Sequence, residues 1–132
     1  EEEIKGLIVS CNLSNNVFLR EPVNNVEQLY LNSDIYVMTS YFECLPLVLI
    51  EAAEAGLPLV AFNAPSGIAD VVIDNENGFL VERFNISELA DKTMSLMESY
   101  NLRQQFGGQS KKMNVKFQID SVIKRWHLLL DD

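Results

Sequence analysis

The stretch that decides the fold is SDIYVMTSYFECLPLVLIEAAEAGLPLVAF, residues 33–62. Residues 34–39 form a short apolar run that predicts a buried strand, and residues 57–62 predict a second one. Between them, Pro46 favours the start of a helix and Gly56 its end, because proline fits the first helical position and glycine the position after the last. Two strands that are apolar on both faces and joined by a helix are typical of a parallel sheet covered by helices.

The flanking sequence continues this alternation. Helical spacing predicts helices over residues 3–13 and 25–31, and short apolar runs predict strands at 17–19 and 79–81. Residues 86–130 predict two or three amphipathic helices, with breaks near Asn101 and around Gly107-Gly108. The fold class expected is therefore α/β: a Rossmann-like open parallel sheet with helices on both faces, ending in C-terminal helices. Ligands of such sheets bind outside the carboxyl ends of the strands, so the loops after residues 19, 39 and 62 are the candidate sites.

The charge and composition of the chain limit the classes of ligand that it is expected to bind. The chain has 132 residues, the size of one domain, and a formal net charge of −9 with a pI near 4.5. An acidic surface repels nucleic acids and anionic membranes. A small phosphorylated ligand stays possible, because backbone N–H groups at a helix N-terminus can bind phosphate whatever the global charge. No apolar run reaches the length needed to cross a bilayer.

The cysteines and the first residues of the chain lead to expectations about its cellular compartment and its extent. Cys11 and Cys44 lack metal-type spacing, and although one disulfide is possible, a reduced cytoplasmic protein is favoured. The chain begins with glutamate and carries no signal peptide, so we expect a fragment of a longer protein.

Two carboxylates stand beside the predicted helix start. Glu43 precedes the helix, and Glu51 lies about a turn and a half into it, with its side chain leaning back towards the N-terminus. A helix N-terminus for phosphate and two carboxylates for sugar hydroxyls would then share one site. The plainer alternative is that Glu43 is a solvated loop residue and that Glu51 pairs with a lysine on the exposed face.

The segment Glu43-Cys-Leu-Pro-Leu-Val-Leu-Ile-Glu51-Ala52 resembles the Glu-x7-Glu motif of retaining GT-B glycosyltransferases, particularly family four (group 1). Residues 33–40, 55–61 and 77–81 also resemble segments of this family, and the likeness runs from about residue 7 to residue 130. It implies that residues 1–132 are part of the C-terminal, nucleotide-sugar-binding domain. The first strand of that domain and the whole N-terminal acceptor domain would then lie outside the chain.

The resemblance also implies roles for individual residues. Glu43 would lie beside the donor sugar and be the catalytic candidate, and Glu51 would bind the ribose hydroxyls. Backbone amides of the segment from Cys44 through Leu45 to Leu47 would meet the sugar or the diphosphate. The base would pack near the loop that contains three further residues: Arg20, Glu21 and Val23.

Two departures from the family pattern affect these roles. Relatives commonly have a glycine-rich segment where this chain has Glu43-Cys44-Leu45-Pro46, and Pro46 has no N–H to donate. Relatives also commonly have glycine where this chain has Arg20-Glu21. The loop expected to pack against the base is therefore bulkier and charged in this chain.

The implied function is transfer of a sugar, with retained configuration, from a nucleotide diphosphate sugar to a glycan or lipid-linked acceptor. We expect a role in bacterial surface polysaccharide synthesis. The full-length enzyme would lie in the cytoplasm or peripherally at the inner membrane face. We expect the enzyme to use no metal ion or other cofactor and to bind no nucleic acid. Membrane contact would occur only through the other domain. The fragment alone should be inactive. The alternative is a non-catalytic Rossmann-like binding or assembly module, since one fold hosts many functions.

Other conspicuous residues favour structural roles. The loop around Pro65, Ser66 and Gly67 should shape a turn, with Asp70 bracing the following helix. His127 is expected at the surface or in the core, and Trp126 belongs to an apolar stripe that predicts packing. The set around Met94 and Met97 should likewise belong to the core.

Overall fold

A computed structural model describes residues 1–65 and 67–130. The elements in chain order are helices and short strands. They are α1 (Glu2–Ser10), α2 (Val26–Leu31), β1 (Tyr36–Met38), α3 (Leu47–Glu54), β2 (Leu59–Phe62), α4 (Ile68–Val71), β3 (Gly78–Val81), α5 (Ile86–Glu98), α6 (Tyr100–Asn114), a 3₁₀ turn (Val115–Phe117) and α7 (Ile119–Leu130). The alternation predicted from the sequence is thus confirmed from α2 to α5, with boundaries that shift by one to three residues.

The three described strands form one parallel sheet in the order β1-β2-β3. Tyr36 pairs with Leu59, and Leu59 in turn pairs with Gly78, so the amino ends of all three strands are level. The carboxyl ends therefore also lie at one edge, where the following loops can meet.

Helices cover both faces of this sheet, as predicted. The central strand β2 is buried along its whole length, and its residues alternate between two cores. Leu59 and Ala61 belong to a core shared with α2, α3 and α4. Val60 and Phe62 belong to a second core shared with α5 and α6. A strand buried on both faces explains the uninterrupted apolar run seen in the sequence.

The strand predicted at residues 17–19 is wrong. These residues have no regular structure, and Phe18 is 63% exposed. A strand requires a neighbour for its backbone groups, and none of the three described strands pairs with this segment. Three apolar residues in a row cannot by themselves supply that partner.

The helix break predicted at Gly107-Gly108 is also wrong, because both glycines lie inside α6. Gly107 is there for packing: a β-carbon at this position would lie 2.2 Å from the carbonyl oxygen of Gly56, just past α3. The break predicted near Asn101 lies at Ser99, whose hydroxyl accepts a hydrogen bond from the Leu102 N–H, and a further break lies at the 3₁₀ turn before α7.

Two predicted packing sets are exposed. Trp126 is 59% exposed, and α7 contributes no buried residue to the described chain. In α5, Leu96 is fully buried, but Met94 and Met97 are more than half exposed. The predicted helix is present as α7, but its apolar side is exposed and is not covered by another described element.

Candidate functional site

Helix α3 presents an open N-terminus at the carboxyl edge of the sheet. Pro46 is its N-cap, one position earlier than predicted, and the Pro46 carbonyl accepts hydrogen bonds from the N–H groups of Leu49 and Ile50 at 3.1 and 3.4 Å. The N–H groups of Leu47 and Val48 donate to no other residue within 1–65 and 67–130. Both side chains are exposed. Free amides at a helix N-terminus carry partial positive charge, so this end can bind an anion.

The loop after β2 packs against the loop that leads into α3. Gly67 has a φ of +65°, and a β-carbon there would lie 1.6 Å from the carbonyl oxygen of Cys44 and 2.9 Å from the α-carbon of Leu45. Only glycine fits so close an approach with a positive φ. The Cys44–Leu45 segment is therefore held in place by the neighbouring loop.

Glu51 is oriented by a residue from α2. The Tyr30 hydroxyl donates a hydrogen bond to Glu51 Oε2 at 3.0 Å. Tyr30 is buried and its ring packs edge-on against Tyr36, with 5.7 Å between ring centroids and 62° between planes. Burial, and next the hydrogen bond to Glu51, raise the pKa of Tyr30 well above its ordinary value. Tyr30 thus remains a neutral donor to the carboxylate at physiological pH.

Both glutamates affect the pKa of Tyr36. Burial raises the pKa of Tyr36, and the negative charges of Glu51 and Glu43 raise it further. Glu43 is half-buried, whereas Glu51 is exposed on the second turn of α3. Because a Coulomb interaction weakens with distance, both carboxylates lie near enough to the Tyr36 hydroxyl for their charges to act on it.

A cavity of about 590 Å³ opens beside Glu51, between α2, α3 and the end of α6. Its lining residues are Val26, Glu27, Tyr30, Leu31, Ile50, Glu51, Glu54, Ala55 and Asn114. Asn114 Nδ2 donates to Glu54 Oε2 at 2.6 Å, while the buried Asn114 Oδ1 has no partner among the described residues. The cavity thus joins an apolar floor to several acidic and amide groups, a composition suited to a polar organic ligand.

Comparison with known sequences decides the family. The profile of the family described as "Glycosyl transferases group 1" matches residues 1–113. The chain belongs to this family. Residues 43–51, which resemble its Glu-x7-Glu motif, coincide with the half-buried Glu43, the open end of α3 and the oriented Glu51.

Individual relatives match this glycosyl transferase chain in sequence over nearly its whole length. An uncharacterized glycosyltransferase of Haemophilus influenzae is 36% identical over 130 residues, which are 98% of this chain and 37% of the relative. A poly(glycerol-phosphate) alpha-glucosyltransferase of Bacillus subtilis is 32% identical over 98% of this chain and 19% of the relative. The chain therefore spans less than two-fifths of the length of either relative.

A solved structure with the same fold is that of a TarM mutant from S. aureus in complex with fondaparinux, alpha-GlcNAc-glycerol and UDP. It is 31% identical to this chain, with a TM-score of 0.91, and the match covers 100% of this chain and 27% of TarM.

In this glycosyl transferase chain, the predicted base-binding loop does not line the cavity beside Glu51. Arg20, Glu21 and Val23 lie in an exposed irregular segment, and the Arg20 guanidinium stands 5.8 Å from the centroid of the Phe18 ring. None of the three lines the cavity beside Glu51. Their proposed contact with a base stays a prediction.

Several structural features were not found from the sequence. The sequence places Tyr30 only within the helix predicted at residues 25–31, although a buried tyrosine needs a partner for its hydroxyl. That partner, Glu51, is 21 residues away, so no local pattern reveals it. Asp70, expected to brace α4, lies in its first turn, but the N-cap is Gly67, which has no side chain to cap the helix. Ser66 lies outside the described residues.

Three further findings concern metals, membranes and thiols. Within residues 1–65 and 67–130, no cluster of three or more histidine, cysteine or acidic side chains could hold a metal ion. Nor is any helix in these ranges long and apolar enough to span a bilayer. Cys11 and Cys44 are both free and exposed.

Proposed function

We propose that the full-length protein transfers a sugar from a nucleotide diphosphate sugar to a glycan or lipid-linked acceptor, with retention of configuration. The observation that carries this proposal is the position of Glu43 and the oriented Glu51 on either side of the α3 N-terminus, whose first amides have no partner among the described residues. Family membership supports the reaction, and the poly(glycerol-phosphate) alpha-glucosyltransferase among its relatives supports a role in bacterial surface polysaccharide synthesis.

The proposal gives each group of the site one part of the donor. Glu51 accepts hydrogen bonds from the ribose hydroxyls, because a carboxylate forms strong charge-assisted bonds with a diol. Glu43 contacts the hydroxyls of the transferred sugar and is the catalytic candidate. The segment from Cys44 through Leu45 to Leu47 offers its backbone amides to the sugar or the diphosphate, with Pro46 contributing none.

The chemical role of α3 follows from its dipole. When the bond to the sugar breaks, negative charge develops on the departing nucleoside diphosphate. Free N–H groups in the first turn of α3 stabilise that charge more than they stabilise the intact donor, which lowers the barrier. On this account the chain needs no metal ion for transfer.

Other parts of the proposal concern the rest of the protein. Because the chain spans only a fraction of each relative, we propose that it is the nucleotide-sugar-binding part and that the acceptor binds largely to another domain. That domain would also make any membrane contact. Arg20, Glu21 and Val23 are proposed to border the base. We place the enzyme in the cytoplasm, at the inner membrane face when it uses a lipid-linked acceptor, and the free thiols agree with a reducing compartment.

The test uses the full-length protein with UDP-, GDP- and ADP-glucose as donors. Glu43→Gln should lower kcat by roughly a hundredfold or more, since it removes a charge that acts on the reacting sugar. Glu51→Gln should mainly raise the KM for the donor, by about tenfold. Glu98→Gln is the control, because Glu98 is exposed at the end of α5 and does not line the cavity beside Glu51.

Equal activity in the wild type and all three variants would contradict the roles of both glutamates. A folded wild-type protein with neither donor binding nor turnover would contradict the transferase and favour a binding or assembly module.

A further inference from the structure

The orientation of Glu51 depends on a residue outside the segment that carries the two glutamates. Glu51 is exposed on α3, and the free side chain of a glutamate has several rotamers, whose loss on ordering costs conformational entropy. In this structure one contact to Tyr30 already fixes it. A ligand that binds the ordered carboxylate does not have to order it again.

Tyr30 itself is held firmly. Its ring is 8% exposed, lies in the core with α3 and meets Tyr36 edge-on. Helix α2, which carries it, is capped by Asn25, whose side chain accepts a hydrogen bond from the Gln28 N–H at 3.3 Å. A buried ring in a packed core keeps one rotamer, so its hydroxyl points in a constant direction.

The hydrogen-bond capacity of the carboxylate leaves room for a diol. An ionised carboxylate offers about four acceptor positions on its two oxygens. Tyr30 occupies one position, on Oε2, which leaves Oε1 and the remaining lone pair of Oε2. Two neighbouring hydroxyls, as in the 2′,3′-diol of a ribose, can be accepted by such a pair of oxygens.

We infer that Tyr30 is a positioning residue for nucleotide recognition: its hydroxyl fixes the Glu51 carboxylate in the orientation that accepts both ribose hydroxyls. This inference rests on the proposed function, in which Glu51 binds the ribose. Tyr30 acts through Glu51 and touches neither the sugar nor the diphosphate. Its removal therefore weakens nucleotide binding and leaves the transfer step unchanged.

The experiment measures binding of UDP, GDP and ADP to the full-length protein by calorimetry, because the ribose is common to all three. The 2′-deoxy form of each nucleotide is measured in parallel. Tyr30→Phe should weaken binding of the best ribonucleotide by about fivefold, the typical net effect of one intramolecular hydrogen bond. Binding of the matching deoxynucleotide should change by less than twofold, so discrimination between the two sugars falls.

Tyr36→Phe is the matched control. Tyr36 belongs to the same aromatic pair, and its hydroxyl forms no hydrogen bond with a residue in 1–65 or 67–130. This variant should keep ribonucleotide binding and discrimination within twofold of the wild type. A merely structural role for Tyr30 predicts equal losses for ribo- and deoxynucleotides, and that result would overturn the inference.

A Glu51→Ala background separates this inference from the proposed function. If Tyr30 acts through Glu51, adding Tyr30→Phe to Glu51→Ala has no further effect. Weaker binding in Glu51→Ala but not in Tyr30→Phe would defeat the positioning role alone. Unchanged binding in Glu51→Ala, or no binding of any of the three nucleotides to the wild type, would defeat the proposed donor site and with it this inference.

Discussion

Gly67 lies against the peptide group that joins Cys44 to Leu45, and its conformation leaves no space for a side chain. A β-carbon at position 67 would lie 1.6 Å from the Cys44 carbonyl oxygen, and the φ of Gly67 is +65°. The loop after β2 thereby fixes the backbone just before α3, where the proposed donor phosphates bind. Two loops that follow adjacent parallel strands thus act as one unit.

Replacing Gly67 with alanine should disturb this unit. The positive φ alone costs about 1–2 kcal/mol for a residue with a β-carbon, and relief of the clash must displace the Cys44–Leu45 segment. We expect a lower melting temperature together with weaker nucleotide binding. Gly6→Ala is the control, because a β-carbon there meets nothing within 4 Å. Wild-type binding by a folded Gly67→Ala protein would show that the position of this loop does not matter to the donor.

Gly107 and Gly108 are neighbours in α6 with opposite surroundings. A β-carbon at Gly107 would lie 2.2 Å from the Gly56 carbonyl oxygen, whereas one at Gly108 would meet nothing within 4 Å. Gly108→Ala should therefore stabilise the protein by about 0.5–1 kcal/mol, because alanine favours helix.

Gly107→Ala should instead destabilise it by about 1–3 kcal/mol, since overpacking forces α6 away from the end of α3. Urea unfolding of both variants measures the difference. Equal free energies of unfolding for the two alanine variants would contradict the close approach of α6 to Gly56.

The pair Tyr30 and Glu51 makes stability depend on alkaline pH. Burial raises the pKa of Tyr30 above its ordinary value of 10.0, with the hydrogen bond to Glu51 adding to the effect. The folded state thus retains the phenolic proton at a pH where the unfolded state has lost it. The stabilisation is complete below pH 10 and is lost as the pH rises towards the folded-state pKa.

The free energy of unfolding should accordingly fall above pH 10, and the fall should be smaller in Tyr30→Phe. Chemical denaturation between pH 8 and pH 11, values on either side of the ordinary tyrosine pKa, measures both slopes. Parallel curves for the two proteins would show that the Tyr30 hydroxyl ionises as readily in the folded as in the unfolded state.

Transfer without a metal ion can be tested directly. If the amides of the first turn of α3 stabilise the leaving diphosphate, turnover by the full-length protein should be unchanged in excess EDTA. Dialysis against EDTA followed by addition of Mg²⁺ or Mn²⁺ provides the comparison. A loss of activity that either ion restores would place the charge stabilisation in a bound metal instead.

The sequence predicted the parallel sheet and the position of α3 well because both depend on short-range signals. Pro46 and Gly56 mark the two ends of α3, and the uninterrupted apolar run of β2 follows from burial on both faces. The strand predicted at residues 17–19 failed because strand formation needs a partner, which a local pattern does not supply. Gly107 was mistaken for a helix break because composition does not reveal a close contact with Gly56.

By itself, the sequence determined that the chain is an α/β domain with two glutamates spaced around a helix start, since hydrophobic periodicity and helix-end residues are local properties. Only the tertiary structure decided that Tyr30 holds Glu51, that Glu43 and Glu51 act on the same tyrosine, and that Gly67 supports Cys44. Each of these relationships joins residues that lie on different elements or loops, and Tyr30 and Glu51 are 21 positions apart. Such contacts are selected by the packing of the whole chain, so no local residue pattern encodes them.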